Sequence, residues 1–398
     1  MIAKTGVSFN LNSDSDIMNI IDMVEKYAPL VHPVAKAIHE NPELGFEEYE
    51  AARLQVDLLR DAGFQVTAPY GGLDTAYRAE YGGGEPVFAV MCEYDALPEL
   101  GHACGHNLIC AAGLAAGLAL RDFLESADIE GKVVVLGTPG EETLGGKIVL
   151  LEHGVFKDID ACILCHPASA NALDSGDLAV SRYDVTFRGR AAHAAAAPHR
   201  GINALDAMNL FFAGIGCWRQ QLPPGGMVHG IISKGGTAPN IIPDHTEAFM
   251  YLRSHDNATQ ETLEKRLLDI ARGAALMTGC EFEAVRRLNP YSADRFNLPL
   301  RGAVFETMER LGMNPDKEYR SSISTDYANV SQEVPGVNFF FNITGGEPVP
   351  LHSTEFEKLA GTESGFASAM NAAKVMAEIG VRFLTDASFR RTVTPGSN

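Results

Sequence analysis

The stretch Gly101-His102-Ala103-Cys104-Gly105-His106 puts a thiol and an imidazole on either side of one glycine at the start of an apolar helical run. With no side chain between them, Cys104 and His106 can converge on one cation. A helix N-terminus there would also lower the thiol pKa. Taken alone, Cys-x-His is a weak signal. A second cluster, Gly137-Thr138-Pro139-Gly140-Glu141-Glu142, follows an apolar strand-like run. Adjacent glutamates ordinarily form a solvated face. In a Gly/Pro turn after a buried strand, however, two carboxylates can differ in orientation and pKa, so that one binds metal while the other takes a proton from water. His166 directly follows a strand ending at Cys165, and His352 stands in Pro350-Leu351-His352-Ser353, beyond a strand ending at Ile343.

The joint pattern is stronger than its parts. All four clusters fall at C-terminal strand ends, where open α/β sheets place their ligands. Cys104, His106, Glu142, His166 and His352 supply five N, O and S donors, enough for two cations sharing a bridging group. Glu141 is then left over as a base, the arrangement expected of a two-metal hydrolase.

The elements that must position these residues alternate. Helical spacing over 15–40 and 47–62, with Gly63 where a C-cap is wanted, precedes a strand over Pro86–Cys92. A helix over Leu108–Ser126, a strand over Lys132–Gly137, a helix from Gly145 and a strand over Asp160–Cys165 follow. Continuous apolar strands separated by helices predict a parallel sheet covered on both faces. Near residue 180 the pattern changes: Ser181–Arg188 alternates apolar and polar. Helices over 202–220 and 258–277 with strands over 227–233 and 247–254 make an α+β plan. After Pro290 the α/β character returns, with a helix over 303–311, a strand over 337–343 and a terminal helix over 362–384. The fold class expected is α/β: a catalytic domain with a mostly parallel-type sheet (1–180 and 293–398), interrupted by a smaller α+β domain (181–292).

Composition narrows the function. The 398 residues exceed the usual ceiling for a single core, so two domains are the prior. Acids outnumber bases 51 to 32, a net charge of −19 that opposes binding to phosphate backbones or anionic lipid. The N-terminus is polar, with no signal-peptide core, and the longest uncharged apolar stretch, Leu108 to Leu120, is shorter than the roughly 18 residues a membrane span needs. Seven cysteines, an odd number, fit a reduced, cytoplasmic protein, with neither nucleic acid nor membrane as partner. Cys162-Ile163-Leu164-Cys165-His166 matches the c-type haem signature, but inside an apolar strand its two cysteines face opposite ways. Serine-hydrolase, zincin and nucleotide-binding motifs are missing.

The strings His39-Glu40-Asn41-Pro42-Glu43-Leu44-Gly45-Phe46-Glu47-Glu48, Asp95-Ala96-Leu97-Pro98, His102-Ala103-Cys104-Gly105-His106, Gly140-Glu141-Glu142 and Gly189-Arg190-Ala191-Ala192-His193-Ala194 resemble the aminoacylase/carboxypeptidase metallopeptidase family. Within it they resemble the amidohydrolase branch of auxin-conjugate and aminobenzoyl-glutamate hydrolases. Ala238-Pro239-Asn240-Ile241-Ile242-Pro243 and Ser324-Thr325-Asp326 extend the resemblance over nearly the whole chain. It implies that the inserted domain is a lid that makes a homodimer, that Cys104 bridges two divalent cations, and that His106, Glu142, His166 and His352 complete their shells. It implies Glu141 as general base, His193 from the partner's lid as oxyanion stabiliser, and Asn240 and Arg253 as holders of the substrate carboxylate. The planar fork of Arg253 suits that task. One departure is Glu93-x-Asp95, where the branch usually has Asp-x-Asp: Asp95 could still orient a ligand, while Glu93 stays off the ligand list.

The expectation is a dinuclear metal-dependent amidohydrolase acting on an N-acyl or N-aroyl amino acid. Its cofactors would be two divalent metal ions per chain, manganese or zinc first, with cobalt or nickel also admitted. A dipeptidase using the same site is the alternative. A catalytically silent metal- or ligand-binding paralogue is the alternative of another class, against which the retained Glu141 speaks.

Overall fold

The computed structural model describes residues 14–320 and 324–394; residues 1–13, the start of the polar N-terminus, and 395–398 lie outside it. The described residues form two compact units, one of 14–175, 295–320 and 329–394, the other of 176–294 and 324–328.

The chain runs α1 (Asp14–Glu40), α2 (Tyr49–Asp61), β1 (Gln65–Thr67), β2 (Tyr77–Gly83), β3 (Val87–Cys92), α3 (His106–Ala127), β4 (Gly131–Gly137), α4 (Glu141–Leu144), α5 (Gly146–Glu152), β5 (Ala161–Ala168) and β6 (Ala172–Leu173). Then come β7 (Ala179–Arg188), α6 (Ala204–Trp218), β8 (Met227–Lys234), β9 (His245–Ser254), α7 (Asn257–Thr278) and β10 (Glu281–Arg286). It ends with α8 (Leu298–Arg310), α9 (Tyr327–Glu333), β11 (Gly336–Asn342), α10 (Thr354–Ala360), α11 (Glu363–Thr385) and α12 (Ala387–Val393).

In the first unit seven strands lie in the order β1-β2-β4-β3-β5-β11-β6. The centre, β4-β3-β5-β11, is parallel, and β2, β1 and β6 join it antiparallel. Strands β3 and β5 are buried along their whole length, as the unbroken apolar runs require when helices cover both faces. Helix α3 lies against β3 and β4 because it carries glycine where the sheet comes closest. A Cβ on Gly113 would stand 2.5 Å from Cys92 Sγ, and one on Gly117 2.4 Å from Val135 Cγ2. Leu108, Leu114, Leu118 and Leu120 of α3 are buried, each contributing about 1.5–3 kcal/mol. By length and composition α3 could cross a membrane, yet 89% of its apolar window is buried inside the protein.

The second unit is a four-stranded antiparallel sheet, order β10-β7-β9-β8. Its strand β9 alternates buried and half-buried residues, so one face is packed. On that face Val185, Phe187, Met250 and Leu252 meet Phe211 of α6 and Leu263 and Leu267 of α7. Asn203 and Asp256 cap these helices by accepting the N–H groups of Leu205 and Thr259.

Strands β1, β2, β6 and β10 are not foreseen in the sequence. Tyr77–Gly83 is assigned no element from the sequence, although Arg78 and Glu80 alternate there with Tyr77, Ala79 and Tyr81. In the fold β2 lies between β1 and β4 and these charges are paired, with Arg78 on Asp158 at 2.6 Å and Lys132 on Glu80 at 3.1 Å.

Candidate metal centre and active site

Four parallel strands end at one rim of the first unit, and each delivers part of the cluster. After β3, Glu93 and Asp95 continue the chain; Gly105, at φ 75°, then turns it into α3, whose first residue is His106. After β4, Gly140, at φ 68°, does the same for α4, which opens with Glu141 and Glu142. A left-handed φ favours glycine at both positions. His166 lies within β5. His352, beyond β11, holds φ 59°, unusual for a residue with a Cβ. Its N–H donates to the Ala103 carbonyl at 3.0 Å, which ties this loop to the one carrying Cys104.

The side chains converge. Cys104 Sγ lies 3.3 Å from His166 Nε2, and His352 Nε2 lies 3.4 Å from Glu142 Oε2. His106 Nε2 stands 3.9 Å from Glu142 Oε1 and 4.0 Å from Glu141 Oε2. Ligand-capable atoms of Cys104, His106 and His166, of Cys104, Glu142 and His352, and of His106, Glu141 and Glu142 each fall within 4.8 Å of one another. Cys104, His106 and Glu142 are each shared between two groups, so the three groups form one connected cluster. Glu141 stands beside Glu142 and reaches the same histidine.

Backbone and carboxylate partners fix the imidazoles. His106 Nδ1 pairs with Asp95 Oδ1 at 3.0 Å, leaving Nε2 for the cluster. Asp95 Oδ2 also accepts the Glu142 N–H at 3.0 Å, so a single carboxylate sets both His106 and the turn bearing the glutamates. His166 Nδ1 pairs with the Pro167 carbonyl at 2.8 Å, leaving its Nε2 for Cys104.

Electrostatics fit a cation. Burial raises the Asp95 carboxyl, but the His106 ring outweighs it and the carboxyl sits below its usual range. Burial works against a charged His106, yet Asp95 and Cys104 hold its pKa well above the ordinary value. A divalent cation would replace that proton's charge. His166 is lowered to about 4 by burial and by His106, which keeps it a neutral ligand. Burial, with Glu142 adding to it, raises the Cys104 thiol, so the thiolate needs a cation beside it. His106 Nε2 and Glu142 Oε1 are buried without a hydrogen-bond partner among the described residues, which is how donors reserved for a metal look.

The other three site residues expected from the resemblance lie in the second unit. His193 is exposed, and its Nδ1 accepts the Ala196 N–H at 3.1 Å. It bridges Ile241, and the Asn240 carbonyl accepts the Ala194 N–H at 3.0 Å, so His193 and Asn240 share one loop pair. Arg253 is not beside them. It is half-buried near the far end of β9, paired in register with Val180 and Met227, about 27 Å along the strand from His245 at 3.4 Å per residue. Its Nη1 donates to Ser324 Oγ at 3.2 Å.

Two residues beside the cluster carry no assignment from the sequence. Lys147, on α5, is fully buried with Nζ 2.6 Å from Glu93 Oε1. Glu48 is fully buried beside the glutamate turn. A lone lysine in the Gly145-Gly146-Lys147 turn is the available signal for the first.

Residues 89–379 match peptidase family M20/M25/M40. The chain is 39% identical to the Xaa-Arg dipeptidase of Mus musculus, over 89% of this chain and 86% of that one. It is 34% identical to a chain of the p-aminobenzoyl-glutamate hydrolase of Escherichia coli, over 74% of this chain and 65% of that one. A Bacillus subtilis structure described as a dinuclear metal binding peptidase from the M20 family shares the fold, with a TM-score of 0.68 at 21% identity, covering 89% of this chain and 99% of that one. The protein belongs to the M20/M25/M40 peptidase family, as its sequence motifs implied, and is a metal-dependent hydrolase of amide bonds.

Proposed function

We propose that the protein is a dinuclear amidohydrolase that removes the acyl or aroyl group from an N-acylated amino acid. The observation that carries this reading is the convergence of the ligand atoms of Cys104, His106, Glu142, His166 and His352, all buried or half-buried except the exposed His352, with Glu141 beside them. These five side chains would hold two divalent cations, with Cys104 between them. Thiolate suits zinc, while the carboxylate and imidazoles also suit manganese, cobalt or nickel. When bound, the cations polarise the amide carbonyl and make a water acidic enough to attack at neutral pH.

The chain's own groups do the rest. Asp95 and the Pro167 carbonyl keep His106 and His166 in the tautomers that present Nε2. Glu141 takes the proton of the attacking water and returns it to the leaving nitrogen. His193, reaching from the second unit of a partner copy, donates to the oxyanion, and Asn240 and Arg253 hold the substrate carboxylate. The placement of Asn240 in the loop before β9 and of Arg253 near the far end of β9 supports their serving different sites of a dimer. Edge strand β8, with Ile231 63% and Ile232 43% exposed, offers a surface for a second copy. All seven cysteines are free thiols, consistent with the cytoplasm.

The 34% identity to an aroyl-glutamate hydrolase supports this substrate class. The 39% identity to a dipeptidase favours a second reading, in which the residue on the carbonyl side carries a free amino group. Protein loaded with zinc or manganese, assayed on matched N-acyl amino acids, N-aroyl amino acids and dipeptides, tests both. A kcat/KM at least about tenfold higher on acylated amino acids, about 1.4 kcal/mol in the barrier, supports the first. The reverse order replaces it with the second.

A further inference from the structure

Glu93 Oε2 and His106 Nε2 lie 3.7 Å apart, both fully buried and both without a hydrogen-bond partner among the described residues. No glutamate oxygen of the 141–142 pair comes as near to that nitrogen, Glu142 standing at 3.9 Å and Glu141 at 4.0 Å. Nitrogen and oxygen ligands sit about 2.0–2.2 Å from a zinc-sized cation, so two ligands of one cation are about 3.4 Å apart in a tetrahedron and never more than about 4.4 Å. The Glu93–His106 separation falls inside that window. An ionised carboxylate oxygen buried with no donor carries a desolvation cost that only a cation or a hydrogen bond offsets.

The other oxygen of Glu93 is already committed. Oε1 is 2.6 Å from the Lys147 ammonium, and both side chains are fully buried. This pair fixes the carboxylate plane and leaves Oε2 directed toward His106. We propose that Glu93 is a further cation ligand of the centre, held by Lys147 so that Oε2 serves the cation that His106 binds.

Charge balance supports the assignment. Glu93, Asp95, Glu141, Glu142 and a Cys104 thiolate bring five negative charges to the buried cluster. Lys147 and two divalent cations bring five positive ones. A site without Lys147 would hold a surplus negative charge in a low-dielectric interior, where it is poorly tolerated. The lysine therefore offsets the extra carboxylate, so that the cluster stays neutral with two divalent cations. The inference rests on the two-cation reading given above.

The test is calorimetric titration of metal-free protein with zinc or manganese alone, for wild type, Glu93→Gln and the double variant Glu93→Gln/Lys147→Met, with folding checked by circular dichroism. The double variant removes both buried charges, so it remains informative if Glu93→Gln leaves Lys147 uncompensated and fails to fold. Wild type should take up two equivalents. Each folded variant should bind one equivalent as wild type does and the other at least roughly 100-fold more weakly, beyond the 10–100-fold lost when only a group supporting a ligand is removed. In cobalt-loaded protein the visible spectrum should change with the loss of an oxygen donor. If wild type binds two cations and the folded variants bind both with unchanged affinity and spectrum, Glu93 serves only to neutralise Lys147 and the inference fails alone. If wild type binds no cation pair, the two-cation reading fails and takes this inference with it.

Discussion

Glu48 accepts the backbone N–H of Gly140 at 2.8 Å, so a fully buried carboxylate from the start of α2 fixes the peptide directly before Glu141. Its other oxygen accepts the Thr75 hydroxyl at 2.8 Å. Burial, and then the nearby Asp95, push the Glu48 carboxyl up to about 7 from the ordinary 4.5. A carboxyl raised on folding contributes stability that is fully present below the unfolded pKa and lost as pH rises through the folded one. In wild type that contribution therefore fades between about pH 4.5 and pH 7. Glu48→Gln does not titrate, so its stability relative to wild type should improve across this interval by roughly 3 kcal/mol, at 1.36 kcal/mol per pKa unit. Denaturant unfolding of metal-free protein at a series of pH values measures this. Parallel pH profiles for the two proteins would contradict it.

Glu141 is the carboxylate for which the proposed ligand set has no use. Glu141→Gln keeps the size of the side chain and removes its basicity. It should bind two cations with wild-type affinity, yet turn over at least about 10²–10⁴-fold more slowly. Elemental analysis alongside steady-state kinetics decides the matter: a metal-replete Glu141→Gln protein with undiminished kcat would remove Glu141 from the mechanism.

Cys104 is a buried small residue at a helix start, where a purely structural cysteine could become alanine at a cost of only about 1 kcal/mol. As the bridge between cations it should control metal content, so Cys104→Ala should lose stoichiometry and activity together. Two tightly held cations in an active Cys104→Ala protein would rule the bridge out.

The legible parts of the molecule are those where local pattern and long-range structure agree. Strands β3, β4 and β5 announce themselves as apolar runs because the parallel centre is buried on both faces, and the chemistry-bearing residues stand right after or at the ends of such runs. Strand β2 is harder to read, since besides the Arg78–Glu80 pair its charges are satisfied by Asp158 and Lys132, far along the chain. Glu93 can be quoted from the sequence but not given a role, since its partner Lys147 is 54 residues away and no periodicity connects them. Glu48 sits in plain view inside a recognised motif, yet its bond to Gly140 spans 92 residues. Burial and pairing at that range are tertiary properties, and one chain read alone does not contain them.

The last prediction is that the active site is shared between two copies. His193 is exposed on the second unit, its ring accepting the N–H groups of Ala195 and Ala196, whereas every proposed metal ligand belongs to the first. If β8 pairs across a two-fold axis, each His193 serves the other copy's cations. Mixing two inactive proteins under conditions that exchange chains separates the possibilities. One is Glu141→Gln, lacking the base; the other is His193→Ala, lacking the oxyanion donor. In a mixed dimer one site receives both lesions and its counterpart neither, so each mixed dimer should regain about half of wild-type dimer activity. Random exchange of equal amounts gives about half mixed dimers, so the whole sample should reach about a quarter of wild type. Native mass spectrometry of isotopically distinct protomers verifies that exchange has occurred. Verified exchange with no return of activity would place His193 at its own chain's site or outside catalysis altogether.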